Sequence, residues 1–207
     1  MGAGQRQGEN ALRPSHSNVR GIVSPRVKLF TDSVIREMTR LADVHGAINM
    51  AQGFPDFPAP SSLKAAAARA VKEDYNQYEI TWGSMELRAA IAEKASRFNG
   101  IQATGEDNVT VTCGATEAMV ATMLALTDSS DEVIIPEPFY ECYVPSAIIS
   151  GAKVRYVQLK EPDFKFDEEE LKSAFGGRGG LKPKAIVINS PNNPTGRVFS
   201  RSELKAG

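Results

Sequence analysis

Apolar residues in the first part of the chain recur at the three- and four-residue spacing of a helix. Val34, Ile35, Met38 and Leu41 do so within TDSVIREMTRLADVHG, where Thr31 or Asp32 is placed to cap the start and Gly46 to end the run. An extended piece, INMAQGFPDFPAP, breaks into Pro and Gly. SSLKAAAARAVKE then predicts a capped, Ala-rich helix, YNQYEITWGS a loop, and MELRAAIAEKASRFNG another helix, ended by Asn99 and Gly100.

After that helix the rhythm changes. NVTVTCG reads as a short strand running into Gly114, and ATEAMVATMLALT as an apolar helix buried on most sides. DEVIIPEP is a buried strand stopped by prolines, FYECYVPSAIISG contains a helix, and AKVRYVQL alternates as a strand does. DEEELKSAF starts a helix with acids, and KAIVIN is a further buried strand. Strands alternating with helices predict an α/β domain on a mainly parallel sheet, with helices on both faces. GGRGG between the last two elements lacks the G-K-[ST] ending of a phosphate loop and opens no helix, so it reads as a flexible connection.

Composition changes this picture little. The chain has 207 residues, 42% hydrophobic and 24% charged, which suits a globular domain with a real core. A net charge of -1 gives no bias toward nucleic acid, and no apolar run approaches the about 20 residues of a membrane helix. Cys113 and Cys142 make no disulfide framework or zinc spacing, which fits a reducing compartment such as the cytoplasm. His16 and His45 are too few for a histidine metal site. Residues 1–27 are rich in Gly, Ser, Pro and Arg with Glu9 the only acid, so they read as a disordered tail or as a transit segment to plastid or mitochondrion.

In an α/β sheet, ligands bind beyond the carboxyl ends of the strands. Three such ends stand out. In VTVTCGATEAM, Gly114 permits a sharp turn and a helix begins at Ala115 and Thr116, where free N–H groups suit a phosphate. A simple capped helix would look the same. In IIPEPFY the prolines deliver Phe139 and Tyr140, rings able to stack on a planar ligand or to pack in the core. In INSPNNPTG the strand end delivers Asn192 and Asn193, and Asn193-Pro194 suits a cis bond that fixes the asparagine amide. A phosphate cradle, a ring stacker and an amide donor on one sheet edge fit pyridoxal phosphate, a phosphorylated, hydroxylated pyridine.

The order QGFPDF, NQYEITWGSMELRAAIA, VTCGATEA, PEPFYECY and NSPNNPTG resembles class I aminotransferases of PLP fold type I, most of all the kynurenine/glutamine/methionine transaminase branch. The likeness runs from about residue 28 to the end. It implies that residues 28–60 contribute to the small domain and the substrate pocket, and that residues 61–207 form the N-terminal part of the large cofactor-binding domain. It further implies that the backbone at Gly114, Ala115 and Thr116 holds the cofactor phosphate, that Tyr140 stacks on the pyridine ring, and that Asn193 donates to the ring hydroxyl and lies within reach of the substrate. Gly53 and Trp82 correspond to substrate-pocket positions. Tyr78 corresponds to a residue that reaches the partner's cofactor phosphate in a homodimer. The bonds matching Glu137-Pro138 and Asn193-Pro194 are typically cis in this family.

The same resemblance implies motifs not found in this sequence: an acid for the pyridinium nitrogen, the lysine that bonds the cofactor, and an arginine for the substrate carboxylate. Ser202 and Lys205 have S-x-x-K spacing, but Ser200 with Glu203 reads as a capping box opening a surface helix, so Lys205 is not taken as catalytic. The chain therefore reads as the N-terminal half of a transaminase acting on an amino acid and a 2-oxo acid, and alone it is expected not to transaminate. A PLP-dependent lyase or synthase on the same fold, and a non-catalytic chain that pairs with and regulates a full-length partner, are the alternatives. Phe54, Phe57 and Trp82 point to an apolar or aromatic substrate side chain.

Overall fold

In the computed structural model, residues 24–29, 33–53, 55–176 and 183–206 are described. The chain divides into two units, 1–31 and 32–207. The described part of the first contains a 3-10 turn over Pro25–Leu29. The cap candidates Thr31 and Asp32, the pocket candidate Phe54, most of the tail and most of the GGRGG segment lie outside the described residues.

The second unit opens with α1, Val34–His45, and its cap is Ser33, whose hydroxyl accepts from the Arg36 N–H at 3.3 Å. Gly46 ends the helix in the left-handed conformation. α2 spans Ser61–Lys72, and contrary to expectation no side chain caps it, since Pro60 occupies the cap position. α3, Met85–Lys94, is capped by Ser84 and runs into one π turn at Ala95–Asn99, closed by Gly100. α4 (Ala115–Leu126), β1 (Glu132–Glu137), α5 (Tyr143–Ser150), β2 (Lys153–Gln158), α6 (Glu168–Phe175), β3 (Pro183–Ile186) and α7 (Glu203–Ala206) complete the order.

The three strands form one parallel sheet in the order β2-β1-β3. Its central strand divides its apolar side chains between two faces, as the two-residue pleat dictates. Val133 and Ile135 pack with Met123 of α4, Ala152, and partly buried Phe139, Tyr143 and Val144. Ile134 points the other way, onto Val157, Leu171 and Ala174, so α6 covers that face. Helices thus lie on both faces, as the sequence pattern predicts. Arg155 and Glu132, both largely buried, pair across β2 and β1, and Arg155 Nη1 also donates to the Ala174 carbonyl at 2.7 Å.

Several expectations need correction. Pro136 does not stop β1 but lies inside it. The Ile134 carbonyl accepts from Val187 on the β3 side, and the Glu137 carbonyl accepts from Leu159 on the β2 side. By alternation, Pro136 therefore turns its missing N–H toward β3 beyond that strand's last paired residue, where no ladder bond is lost. NVTVTCG forms no strand; Val111 donates to the Trp82 carbonyl at 2.9 Å instead, and no described strand pairs with the segment. KAIVIN is shorter than expected, since the chain leaves the ladder after Ile186. α4 is not buried on most sides: of its residues only Met123 is buried, and Leu124 and Leu126 are each 55% exposed. Among the described residues, no helix is long and apolar enough to cross a membrane.

The capping box before α7 is present: the Ser200 N–H donates to Glu203 Oε2 at 2.7 Å and the Glu203 N–H to Ser200 Oγ at 3.2 Å. Hydrogen bonds to the carboxylate from the Ser200 side chain and the Ser200 N–H, with Arg197 at 2.8 Å, hold the Glu203 carboxyl down to about 2 from its ordinary 4.5. The lowered value favours the ionised folded state. The stability it gives is therefore complete above the ordinary value and lost as pH falls through about 2. Carbon-detected NMR of the side-chain carboxyl should show a midpoint near 2; a midpoint near the ordinary 4.5 would show the box to be open in solution.

Candidate active site

α4 runs back along β1 through the short turn at residues 127–131, so its N-terminus lies at the end of the sheet where β1 finishes. Gly114 precedes the helix at φ 86°, ψ 175°, a conformation closed to side chains with a Cβ. Its N–H donates to the Thr112 carbonyl at 2.8 Å, and the Thr112 hydroxyl donates to the Gly114 carbonyl at 3.1 Å. Glu117 folds its carboxylate back onto the Cys113 N–H. Among the described residues, the N–H groups of Ala115, Thr116 and Glu117 have no acceptor, and all three residues are exposed. A 12-residue helix with three open N–H groups can hold an anion there.

β1 ends at Glu137, and a cis Glu137-Pro138 bond leads to Phe139 and Tyr140. Phe139 stacks on Tyr156 at 5.8 Å and joins the core. Tyr140 is half-buried, with Tyr143 edge-on to it at 5.9 Å and 75°. Tyr143 packs into the cluster beneath the sheet, and burial pushes its phenol above the ordinary value. Burial likewise raises the Cys142 thiol, so this cysteine is held as the inert thiol.

β3 delivers the two asparagines, and the structure gives them different tasks. Asn192 is 7% exposed and builds the loop: its Oδ1 accepts from the Thr195 hydroxyl at 2.9 Å and from the Thr195 N–H at 3.3 Å. Its backbone bonds Arg197 and Gly196, each at 2.8 Å. Asn193 is exposed and precedes a cis Asn193-Pro194 bond. Its backbone N–H is held by Asn189 Oδ1 at 2.7 Å, while its side-chain amide has no partner among the described residues. Residues 114–116, Tyr140 and Asn193 all follow or precede elements at one sheet edge.

Trp82 is 59% exposed, and its carbonyl holds the segment that feeds Gly114. The next residue, Gly83, has φ 92°, and a Cβ there would lie 2.6 Å from Val111 Cγ2. Gly53 is exposed with open space around it, and Tyr78 is fully exposed. Among the described residues, no hydrogen bond joins either to the other candidate residues. Arg88 was not singled out in the sequence. It is 3% exposed, and its guanidinium donates to the carbonyls of Gly83 at 3.0 Å, Gly105 at 2.8 Å and Glu106 at 3.4 Å. It fixes the turn that carries Trp82. A lone arginine on a helix gives no signal of this; only its position four residues before buried Ala92 hints at an inward face.

The sheet is a parallel α/β layer with exposed N–H groups at the start of α4, a half-buried Tyr140 after β1 and an exposed Asn193 after β3. The sequence profile described as aminotransferase class I and II matches residues 45–206, and the chain belongs to that family. It is 37% identical over 174 residues to a methionine aminotransferase of Escherichia coli, covering 84% of this chain and 44% of that protein. It is 41% identical over 184 residues to a probable N-succinyldiaminopimelate aminotransferase of Mycobacterium tuberculosis, covering 87% and 45%. It is 38% identical over 182 residues to human kynurenine–oxoglutarate transaminase 1, covering 82% and 42%. Among solved structures, the Escherichia coli methionine aminotransferase superposes with a TM-score of 0.80 at 35% identity, over 89% of this chain and 47% of that one. The Mycobacterium tuberculosis N-succinyldiaminopimelate enzyme gives 0.80 at 38% identity over the same shares. The fold is therefore that of the PLP-dependent aminotransferases, fold type I. The chain spans about half the length of the curated relatives it matches.

Proposed function

We propose that the protein carrying this chain moves an amino group from an amino acid to a 2-oxo acid, using pyridoxal phosphate. The observation that carries this reading is the edge itself: three N–H groups and an asparagine amide without a partner among the described residues, beside a half-buried tyrosine, in a chain of the aminotransferase family. The residues present fit the cofactor. The start of α4 offers donors to a phosphate dianion, and the fold-back of Glu117 draws its negative charge onto Cys113. Tyr140, braced by Tyr143, supplies a ring face, and the Asn193 amide supplies a donor for the ring oxygen. When bound, the cofactor supplies the electron sink for reaction at the amino acid's α-carbon.

The protein's task is to bind, orient and exclude water. Gly53 leaves room beside the substrate carboxylate, and Trp82 lines the side-chain pocket from a turn fixed by Arg88. Tyr78, fully exposed, is available to a second subunit of a homodimer. Residues 28–60 serve the small domain and the pocket, and residues 61–207 the large domain. A cytoplasmic location suits this chemistry.

Product analysis of the full-length protein tests the reading. Incubated with a panel of amino donors, 2-oxoglutarate and pyridoxal phosphate, it should form one new amino acid for each new 2-oxo acid. Release of ammonia or thiol without a new amino acid would overturn transamination in favour of a lyase.

A further inference from the structure

α1 has no fully buried residue in this chain, although Ile35, Thr39 and Leu41 are half-buried. Among the described residues, directed bonds tie it to distant parts of the chain at Ser33 and at Thr39. At its start, the Ser33 hydroxyl is used twice: it accepts from the Arg36 N–H and donates to Glu141 Oε1 at 2.9 Å, across 108 residues of sequence. Glu141 directly follows Tyr140. Six residues on, or about 9 Å along the helix, Thr39 holds the extended strip that follows α1. Its hydroxyl donates to the Ile35 carbonyl at 3.0 Å, accepts from Asn49 Nδ2 at 2.9 Å, and lies 3.5 Å from Gln52 Oε1. Asn49 Oδ1 in turn accepts from the Ala51 N–H at 3.0 Å, and the Ala47 N–H donates to the Ala42 carbonyl at 2.9 Å. The strip from Ala47 to Gln52 leads straight to Gly53.

We propose that α1 is a strut setting the distance between the Tyr140 loop and the Gly53 strip, with Ser33 and Glu141 as its joint. The inference rests on the aminotransferase reading, in which Tyr140 meets the cofactor and Gly53 the substrate. Ser33 and Glu141 are positioning residues: neither touches the reacting atoms. Loss of the joint leaves the cofactor seated, because α4, Tyr143 and the Asn193 loop do not depend on it. It lets the Gly53 strip drift from the amino acid's carboxylate, so substrate binding is weakened.

The test uses the full-length holoenzyme and separates the joint from the helix cap. Ser33→Asp keeps a good cap acceptor but sets a second carboxylate against Glu141. We expect it to raise KM for the amino donor about fivefold or more while kcat stays within about twofold. The cofactor absorbance spectrum and apparent cofactor affinity should not change. Adding Glu141→Gln supplies a donor for the new carboxylate and should bring KM back to within about twofold of wild type. Ser33→Thr should behave as wild type. Glu141→Ala, which leaves the cap untouched, should raise KM as Ser33→Asp does, and covers the case in which Ser33→Asp fails to fold. An unchanged KM in Glu141→Ala or Ser33→Asp, or a rise that Glu141→Gln does not relieve, overturns the inference alone. A wild-type protein that transfers no amino group overturns the functional reading and this inference with it.

Discussion

Asn193→Ala in the full-length protein should lower cofactor affinity about 10- to 100-fold, the range expected for losing one hydrogen bond to a charged or strongly polarised oxygen. Fold stability should stay within about 0.5 kcal/mol, since the side chain is exposed and has no partner among the described residues. Asn193→Asp should bind the cofactor more weakly still, because a carboxylate would face the ring oxygen with no proton to donate. The neighbouring Asn192→Ala should do the reverse. It strips the acceptor from the Thr195 N–H and hydroxyl inside the loop and should cost about 1–3 kcal/mol of stability. Cofactor titration by fluorescence, with urea unfolding of the same samples, reads both quantities. Equal affinity in Asn193→Ala and wild type would remove Asn193 from the site.

Arg88→Ala should be the most destabilising of the single changes considered. It leaves the buried Gly105 carbonyl without its guanidinium donor, frees the Gly83 turn and opens a cavity, together about 3–5 kcal/mol. Arg88→Lys keeps the charge but loses the planar fork, and one ammonium cannot reach carbonyls on two separate turns, so about 1–2 kcal/mol should be lost. Urea midpoints at unchanged slope report these differences. A loss below about 1 kcal/mol in Arg88→Ala would mean that water replaces the guanidinium at all three carbonyls.

Much of the layered core could be read from periodicity alone. β1 and β2 fall where alternation and apolar runs place them, and α3, α5 and α6 where caps and glycines do. The errors share a cause. NVTVTCG has a strand's composition, yet a strand needs a ladder neighbour, and pairing is not local information. The apolar α4 suggested burial on most sides, but burial depends on what packs against a helix, and the described residues cover only part of it. Pro136 signalled a stop because its missing N–H is usually damaging; strand order and the end of β3 make it harmless, and neither is visible in DEVIIPEP.

At the site, the turn chemistry was legible, and the resemblance singles out Asn193. NNP announces a rigid loop, and the structure adds that Asn192 is buried and builds that loop while Asn193 is exposed. The open N–H groups after Gly114 follow from a strand-Gly-helix pattern, whereas the fold-back of Glu117 depends on a side-chain rotamer. The partners of Arg88 and Ser33 could not be read from the sequence, because Gly105 and Glu141 lie 17 and 108 residues away.

The split of β1 between two faces has a consequence for how this chain can change length. Val133 and Ile135 are committed to one helix layer and Ile134 to the other, and both neighbouring strands hold the register. One residue inserted before Tyr140 would either exchange the two faces or push the ring past its station at the strand end. Spacing from Val133 to Tyr140 is therefore a fixed gauge, whereas the hairpin-like stretch bridged by Lys160 and Lys165 sits outside both clusters and can lengthen without disturbing either.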